Sequence, residues 1–379
     1  MLIVLTYLLF AIFGLAFLVQ IIYYWFIFSK VAFNKMKVNT NKLVPVSVVI
    51  CAKNEAQNLH QNLPLFFEQD YPQFQIVVIN DCSSDETDDI LEEFEKKYNN
   101  LHIVTLKEDN IRDHYKKLAL TIGIKGAKYE HLLLTDADCV PRSNQWIKTM
   151  MANYAPETNI VIGYGAYKKK KGFLNKLIRF DSFYGALQYL SFAVAGNAYM
   201  GVGRNLSYKK QFFFDNKGFS KHYHIQSGED DLFVNENAIK GNYAVEFSPA
   251  SHTETDAKKS FKTWRIQKLR HLSTSKFYKF GDRFRIGLLA ASQYLFFLGF
   301  ASTLTLSILQ INILPFQLYI VLSIFLIRYI TFYIVMFSSM KKLCEKDLLF
   351  LAPIIELILM WIYPIWHFKN LFIKRHQWK

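Results

Sequence analysis

The stretch His131-Leu-Leu-Leu-Thr-Asp136-Ala137-Asp138-Cys139-Val140-Pro141 decides the fold. An apolar run of strand length stops at two aspartates one residue apart. Alternate side chains of a strand share a face, so at a strand end Asp136 and Asp138 can point together into a cleft. Two hard carboxylates there suit Mg or Mn, ions that keep coordination positions open for phosphate oxygens. The competing reading is a polar turn that only closes a buried strand. The surrounding chain decides between the two.

Upstream of this stretch the same pattern recurs. Pro45–Ala52 is β-branched and nearly all apolar, as in a buried parallel strand, and runs into Lys53-Asn54-Glu55. Gln75–Ile79 is a second such strand, followed by Asn80-Asp81-Cys82-Ser83-Ser84-Asp85-Glu86. Ser83 and Glu86 have the spacing of a capping box, predicting an amphipathic helix to about Lys97. Leu101–Thr105 reads as a third strand, Lys116–Lys128 as a short helix, and His131–Thr135 as a fourth strand. Strands alternating with helices predict a parallel or mixed sheet with right-handed crossovers. Ligands of such sheets bind at the carboxyl ends of the strands, near the switch in strand order. Glu55, Asp81 and the Asp136/Asp138 pair each follow a predicted strand, which places three polar sites in one cleft. Neither GxGxxG after the first strand nor GxxxxGK[ST] occurs, against a dinucleotide fingerprint or a P-loop.

The ends of the chain are greasy. Of 379 residues 51% are hydrophobic and 16% aromatic, above the average for soluble proteins. Leu2–Phe28 carries no charge and exceeds the ~20 residues that cross a bilayer; it lacks a basic n-region and a cleavage site, so a retained transmembrane helix is expected. Ile286–Gln310 and Ile313–Met340 are each long enough to span. Leu348–Phe368 is weaker, with Glu356, Pro353 and Pro364 inside it, and reads as re-entrant or interfacial in preference to a full span. Arg328 and Glu356 are candidates to pair, since intramembrane charges face protein or a polar cavity. Lys30, Lys35 and Lys37 follow the first span, Lys276, Lys279, Arg283 and Arg285 precede the second, and Lys341, Lys342 and Lys346 follow the third. This asymmetry predicts a cytoplasmic middle region; the tail, with Lys369, Lys374, Arg375 and Lys379, disagrees if four segments span. The net charge is +14 with the basic residues spread unevenly, and no nucleic-acid partner is expected. Cys51, Cys82, Cys139 and Cys344 have no metal-ligand spacing and read as reduced thiols.

The order of these pieces resembles the family 2 inverting glycosyltransferases, in particular their membrane-integral bacterial members. The matching residues are Asn54-Glu55; Asp81-Cys-Ser83-Ser84-Asp85; Lys117 before Leu-Ala-Leu; Asp136-Ala-Asp138; Gly201-Val-Gly203-Arg204-Asn205-Leu-Ser207-Tyr208; Gly228-Glu229-Asp230; and Gln267-Lys-Leu-Arg270, spanning about residues 45–271. The resemblance implies an α/β domain of the GT-A type (a Rossmann-like mixed sheet), flanked by N- and C-terminal transmembrane helices. The expected parts are a transmembrane helix at 1–29, the GT-A domain at 30–257, a basic interfacial segment with the QxxR motif at 258–285 and a transmembrane region at 286–379. It implies a nucleotide-diphosphate sugar donor and a divalent metal, Mg or Mn. Residue by residue, Glu55 and Asp81 would contact the nucleoside, Lys117 the nucleotide or its diphosphate, and Asp138 with Asp136 the metal. Asp230 would be the general base beside Glu229, and Gln267 and Arg270 would complete the catalytic set. Two positions depart from the family pattern: Asn80 stands for the first Asp of a common DD pair, and His271 for the Trp of QxxRW. The second removes an indole platform on which a sugar could stack.

The chemistry fits these residue types. In a single displacement at an anomeric carbon the leaving diphosphate gains negative charge, which a metal or a planar guanidinium such as Arg270 can bind. The attacking hydroxyl loses a proton to a carboxylate on the opposite side. Crowding of Glu229, Asp230 and Asp231 is expected to raise the pKa of at least one of them. Gly201 and Gly203 allow a close backbone approach to an acceptor. The apolar helix expected over Phe173–Ala195 is either a core helix or one lying in the membrane interface. Lys258–Arg285 is expected to be a basic helix on anionic lipid. The function expected is sugar transfer to a membrane lipid or lipid-linked acceptor at the cytoplasmic face of the bacterial inner membrane. A processive polysaccharide synthase and a non-catalytic membrane scaffold are the alternatives, and the oligomeric state is left open.

Overall fold

A computed structural model describes residues 2–35, 43–107, 116–225, 227–310 and 315–372. Lys37 and the tail bases Lys374, Arg375 and Lys379 lie outside them, as does most of the turn between the second and third apolar segments. The chain divides into two compact units: Met1–Asn34 with Lys279–Ile365, and Lys35–Tyr278 with Trp366–Lys379.

The second unit is an α/β domain. Its main sheet contains β1 (Val46–Ala52), β2 (Phe74–Asp81), β3 (Leu101–Leu106) and β4 (His131–Asp136). A short β5 (Cys139–Pro141) follows, then β6 (Ile160–Ile162), β7 (Gly165–Tyr167), β8 (Leu206–Lys209), β9 (Tyr243–Val245) and β10 (Thr253–Thr255). The seven-stranded sheet runs β3-β2-β1-β4-β8-β6-β9, and a smaller one runs β5-β10-β7. Strands β1 to β4 are mutually parallel, whereas β8 is antiparallel to both β4 and β6, so the sheet is mixed as expected. β1 is buried along its whole length, which explains its unbroken apolar run. Helices Ala56–Phe67 and Trp146–Met151 supply Leu59, Leu63, Phe66, Trp146 and Met150 to the core against Val48, Ile50 and Val78. Strand order reverses between β1 and β4, and their register pairs Cys51 with Asp136. The carboxyl ends that carry Glu55, Asp81 and Asp136 therefore flank the switch point, where open α/β sheets place ligands.

Two local expectations differ, and a third that was open is decided. Ser83 and Glu86 form no capping box: the helix begins at Thr87, and Ser83 Oγ accepts from the amide of Asn54 at 2.9 Å. Asp85 does the capping work, accepting from the Thr87 amide (3.1 Å) and hydroxyl (2.5 Å) and from the Ala56 amide (3.2 Å). The helix Phe173–Val194 has fourteen buried residues, including Phe180, Phe183 and Leu187, and is a core helix. Finally, Lys258–Arg285 is not one helix: Phe261–Thr274 is separated from the long helix Phe280–Leu309 by a short 3-10 turn, Ser275–Phe277.

The first unit holds three helices long and apolar enough to cross a membrane among the described residues: Thr6–Ala32, Phe280–Leu309 and Phe316–Lys342. The fourth helix, Ala352–Phe372, has a shorter apolar part, Ala352–Phe368. Phe13 packs its ring on Phe296 at 5.1 Å, and Gly299 lets the two helices approach, since a Cβ there would meet Phe13 at 3.0 Å. Arg328 is fully buried and pairs with Glu356, donating Nη1 to Oε2 at 3.0 Å and Nη2 to the other oxygen. Gln20 accepts from its Nε at 2.9 Å, so the guanidinium is satisfied inside the helix bundle.

Candidate active site

Strand β4 delivers Asp136 to the sheet's edge, and a two-residue turn presents Asp138 beside it. The ligand atoms of Asp136, Asp138 and Cys139 lie within 4.8 Å of one another. Burial and the charges of Asp138 and Asp136 push the Cys139 thiol well above its ordinary pKa, so it stays protonated and donates to Asp138 Oδ1 at 3.5 Å. What remains for a cation is a pair of hard carboxylates, a donor set that could hold Mg or Mn.

A cavity opens next to this pair. It is lined by Lys116, Thr135, Asp136, Gly203, Glu229 and Asp230 together with Leu120, Leu134 and Leu206. Lys116 on its wall bridges two acids: Nζ is 2.7 Å from Asp136 Oδ1 and 3.0 Å from Glu229 Oε1. Burial would lower the pKa of this ammonium, but the two carboxylates outweigh it and hold it well above the usual lysine value. Reciprocally, burial raises Asp136 and Glu229, yet Lys116 wins and both lie below the ordinary carboxylate range. Arg270 stands close enough to contribute to lowering both.

Lys117, the lysine to which the resemblance gave the nucleotide, is placed differently. It is fully buried, and its three donors go to the backbone carbonyls of His222 (2.7 Å), Ile225 (2.9 Å) and Ser227 (2.9 Å). That ammonium anchors the loop entering Gly228-Glu229-Asp230. Helical geometry sends neighbouring side chains about 100° apart, so only one of two adjacent lysines can face the carboxylates. Lys116, which the sequence reading gave no role, is the one that does.

Asp230 is the N-cap of the helix Asp231–Asn237, its Oδ1 accepting from the Asp231 amide at 2.8 Å. Oδ2 accepts from the Gly203 amide at 2.6 Å. The close approach expected of Gly203 is thus to the carboxylate: a Cβ there would lie 3.4 Å from Asp230 Oδ2. Gly201 approaches Leu206 and Val234 instead, with a Cβ at 3.0 and 3.2 Å. Burial, then the neighbouring Asp231 and Glu229, push Asp230 up to about 7. Asp231 is also raised, mainly by burial, although Thr274 (2.5 Å) and Tyr278 (2.6 Å) donate hydroxyls to its Oδ2. Of three adjacent acids, one is ion-paired, one is held by hydroxyls and one sits in the cavity at a pKa suited to moving a proton at neutral pH.

The first two strand ends complete the rim. Asn54, at positive φ, accepts from the Ser84 amide at 2.8 Å, and the Glu55 amide donates to Thr87 Oγ1 at 3.1 Å, so the loops after β1 and β2 are stitched together. Burial raises Glu55, the Asn58 amide that donates to its Oε2 at 2.5 Å opposes the shift, and the charges of Asp138 and Asp136 add to it. Asp81 is fully buried at the end of β2, and Asp81, Asp136 and Glu229 all act on the Cys51 thiol between them. Asn80 has a local reason to be an amide: its Nδ2 donates to Asp88 at 2.5 Å and its Oδ1 accepts from the Ser83 amide at 3.2 Å. An aspartate there would face Asp88 with like charge.

Gln267 does not join the carboxylates; its Oε1 accepts from Tyr167 OH at 3.4 Å. His271 is exposed. Arg204, named in the sequence only as part of the glycine-rich segment, is a second cation that motif reading missed. Its guanidinium lies 4.6 Å over the Tyr167 ring, and its hydrogen bonds to Ala166 O and Ser182 Oγ are long, 3.5 Å each. The charge of Asp136 is among those that stabilise its charged form.

Comparison with known proteins now bears on this geometry. Residues 47–215 match the family model described as glycosyl transferase family 2. This part of the chain is a family 2 glycosyltransferase domain. A poly-beta-1,6-N-acetyl-D-glucosamine synthase of Staphylococcus epidermidis is 32% identical over 190 residues, covering 48% of this chain and 44% of the relative. Glycosyltransferase AglE of Haloferax volcanii is 34% identical over 111 residues, 29% of this chain and 35% of that protein. The chain spans less than half the length of these curated relatives. Among solved structures, the mannosyltransferase PcManGT from Pyrobaculum calidifontis, in complex with GDP-Man and Mn2+, aligns with 90% of this chain and 99% of its own, at 17% identity and a TM-score of 0.58. That likeness shows the GT-A fold of the family 2 domain.

Proposed function

We propose that the protein is an inverting glycosyltransferase that moves one sugar from a nucleotide-diphosphate sugar to a membrane lipid or lipid-linked acceptor. The observation that carries the proposal is the shared cavity in which Asp136, Lys116, Glu229 and Asp230 meet at the switch point of a family 2 sheet. Glu55 and Asp81, on the stitched loops after β1 and β2, take the nucleoside. Lys116, Arg204 and Arg270 provide positive charge for the diphosphate, Lys116 from within hydrogen-bonding distance of Asp136. Asp138 and Asp136 hold Mg or Mn, which would stabilise charge on the leaving diphosphate.

In the reaction the acceptor hydroxyl oxygen attacks the anomeric carbon and its proton passes to the Asp230 carboxylate. The bond from that carbon to the donor phosphate breaks, and its electron pair leaves with the nucleoside diphosphate. Asp230 is kept basic by burial and its acidic neighbours, while the Gly203 and Asp231 amides fix its orientation. Lys117 acts at one remove by holding the loop that carries Glu229 and Asp230. The three long apolar helices support a membrane-embedded acceptor, and the lysine asymmetry supports a cytoplasmic site.

A second reading, a processive polysaccharide synthase, is supported by the name of the Staphylococcus epidermidis relative. A histidine at the QxxRW tryptophan position, which removes the indole platform on which a sugar could stack, favours single transfer. The test is purified protein with Mg or Mn and a panel of nucleotide sugars, following release of nucleoside diphosphate, then product mass after adding membrane lipid extract. One sugar–lipid adduct supports the first reading and a mass ladder the second. No nucleotide release with any donor, or undiminished release by Asp138→Ala, would overturn both.

A further inference from the structure

The lysine run Lys168-Lys169-Lys170-Lys171 has no part in the site. In sequence it lies ninety residues from the bases of the Phe261–Thr274 helix. The small sheet brings the two together: β10 pairs with β7 in parallel with Tyr167 opposite Thr255, and the Lys168 amide donates to Thr255 O at 2.8 Å. The chain after β7 therefore runs beside the chain after β10, Asp256-Ala-Lys258-Lys259. Lys170 Nζ is 2.8 Å and Lys168 Nζ 4.0 Å from Asp256. The two helices that follow are joined as well, by Lys268 Nζ on Asp181 Oδ2 at 2.8 Å.

The result is one basic face made of Lys168–Lys171, Lys258, Lys259, Lys262 and Arg265, with Asp256 paired among them. Lys169, Lys170, Lys171, Lys258, Lys259 and Lys262 are exposed. Large apolar side chains stand between these cations: Phe173 is 50% exposed, Phe261 45% and Ile266 52%. Lys262 and Ile266 are one helical turn apart, so charge and apolar surface share a face. Clustered lysines interleaved with exposed aromatic and aliphatic side chains are what an anionic bilayer surface attracts and buries. A nucleotide or a soluble anion needs the charges but not the apolar side chains. In sequence only Ser275–Lys279 separate the Phe261–Thr274 helix from the apolar helix Phe280–Leu309.

We propose that this composite face docks on anionic phospholipid headgroups, and that the 168–171 run belongs to it as much as the 258–265 segment does. The proposal does not depend on the reaction catalysed. It is tested with the full chain in nanodiscs of phosphatidylcholine alone or with about 30% phosphatidylglycerol, labelling lysines by reductive methylation and reading each site by mass spectrometry. Lys169, Lys171, Lys258, Lys259 and Lys262 should label about threefold or more slowly in the anionic discs and recover in about 0.5 M salt, where screening is strong. Lys96, Lys97 and Lys217, exposed elsewhere on the same unit, should not change. In the Lys169→Glu/Lys171→Glu variant, protection of Lys258, Lys259 and Lys262 should fall too. Equal labelling in both discs overturns the proposal, as does equal protection of the control lysines. So does soluble polyphosphate protecting as well as the anionic lipid, or a charge-reversed variant whose second run stays fully protected.

Discussion

The position of Asp230 makes its proposed role as general base measurable. It is lifted from 3.8 to about 7 by burial first, then by Asp231 and Glu229. A base acts only when ionised. About nine-tenths of it is ionised at pH 8 and about one-tenth at pH 6, so kcat/KM should fall roughly tenfold between them. The sensitive perturbation is Asp231→Asn, which removes the largest neighbouring charge. Each tenfold change in acidity corresponds to about 1.4 kcal/mol. If Asp231 supplies about that much, the acidic limb moves down by roughly one pH unit and activity at pH 6 rises about fivefold. Asp231 also accepts from Leu232, Thr274 and Tyr278, and an amide keeps only one acceptor oxygen, so a stability cost of about 1–3 kcal/mol accompanies the change. The assay is the pH dependence of nucleoside diphosphate release at saturating metal, with thermal unfolding of both proteins as control. A flat profile between pH 6 and 8, or an acidic limb unmoved in a folded Asp231→Asn protein, would refute the reasoning. The same linkage has a stability side with a definite sign. Because the folded carboxyl holds its proton more tightly than the unfolded one, native stability declines as pH rises from about 4 to 7. Asp230→Asn should therefore lose transfer yet unfold at a higher temperature than the parent at pH 8.

Other perturbations separate the roles of neighbouring residues. Lys116→Met leaves Asp136 and Glu229 without their shared cation and should reduce nucleoside diphosphate release by about a hundredfold or more, whereas Lys116→Arg should retain part of it. Lys117→Met should act differently, lowering thermal stability and freeing the 222–227 loop to proteolysis, because its donors hold backbone and not ligand. Asp138→Ala should abolish the Mn or Mg dependence of transfer, read as loss of activity at every metal concentration. In the membrane unit, Glu356→Leu strands a buried guanidinium and should cost about 3–5 kcal/mol. Arg328→Met combined with Glu356→Leu should recover most of it, as followed by unfolding in detergent.

The sequence alone determined the parts of this protein that depend on local pattern. Short unbroken apolar runs bounded by polar turn residues read as buried strands, so β1, β2 and β4 and the acids at their ends were legible within a residue or two. The uncharged apolar segments marked the membrane helices for the same reason: hydropathy summed over twenty residues needs no knowledge of neighbours. Even the Arg328–Glu356 pair was readable, since two opposite charges in otherwise apolar helices have few other partners.

Tertiary structure decided everything that turns on which way a side chain faces or which distant segment lies beside it. Lys116 and Lys117 are chemically identical and adjacent; only the packing of their helix against the main sheet, with the end of β4 on one side and the carbonyls of His222, Ile225 and Ser227 on the other, gives one to the carboxylates and the other to backbone. Arg204 is a loop residue until Tyr167, 37 positions earlier, supplies the ring it lies over. Ser83 had the spacing of a cap but was taken by Asn54 on another loop. The two lysine runs became one face through a three-residue strand pairing too short to leave a sequence pattern. Patterns along a chain record burial, which is a property of one residue and the medium around it. Partnership is a property of pairs, and it is fixed only when the sheet order brings the pairs together.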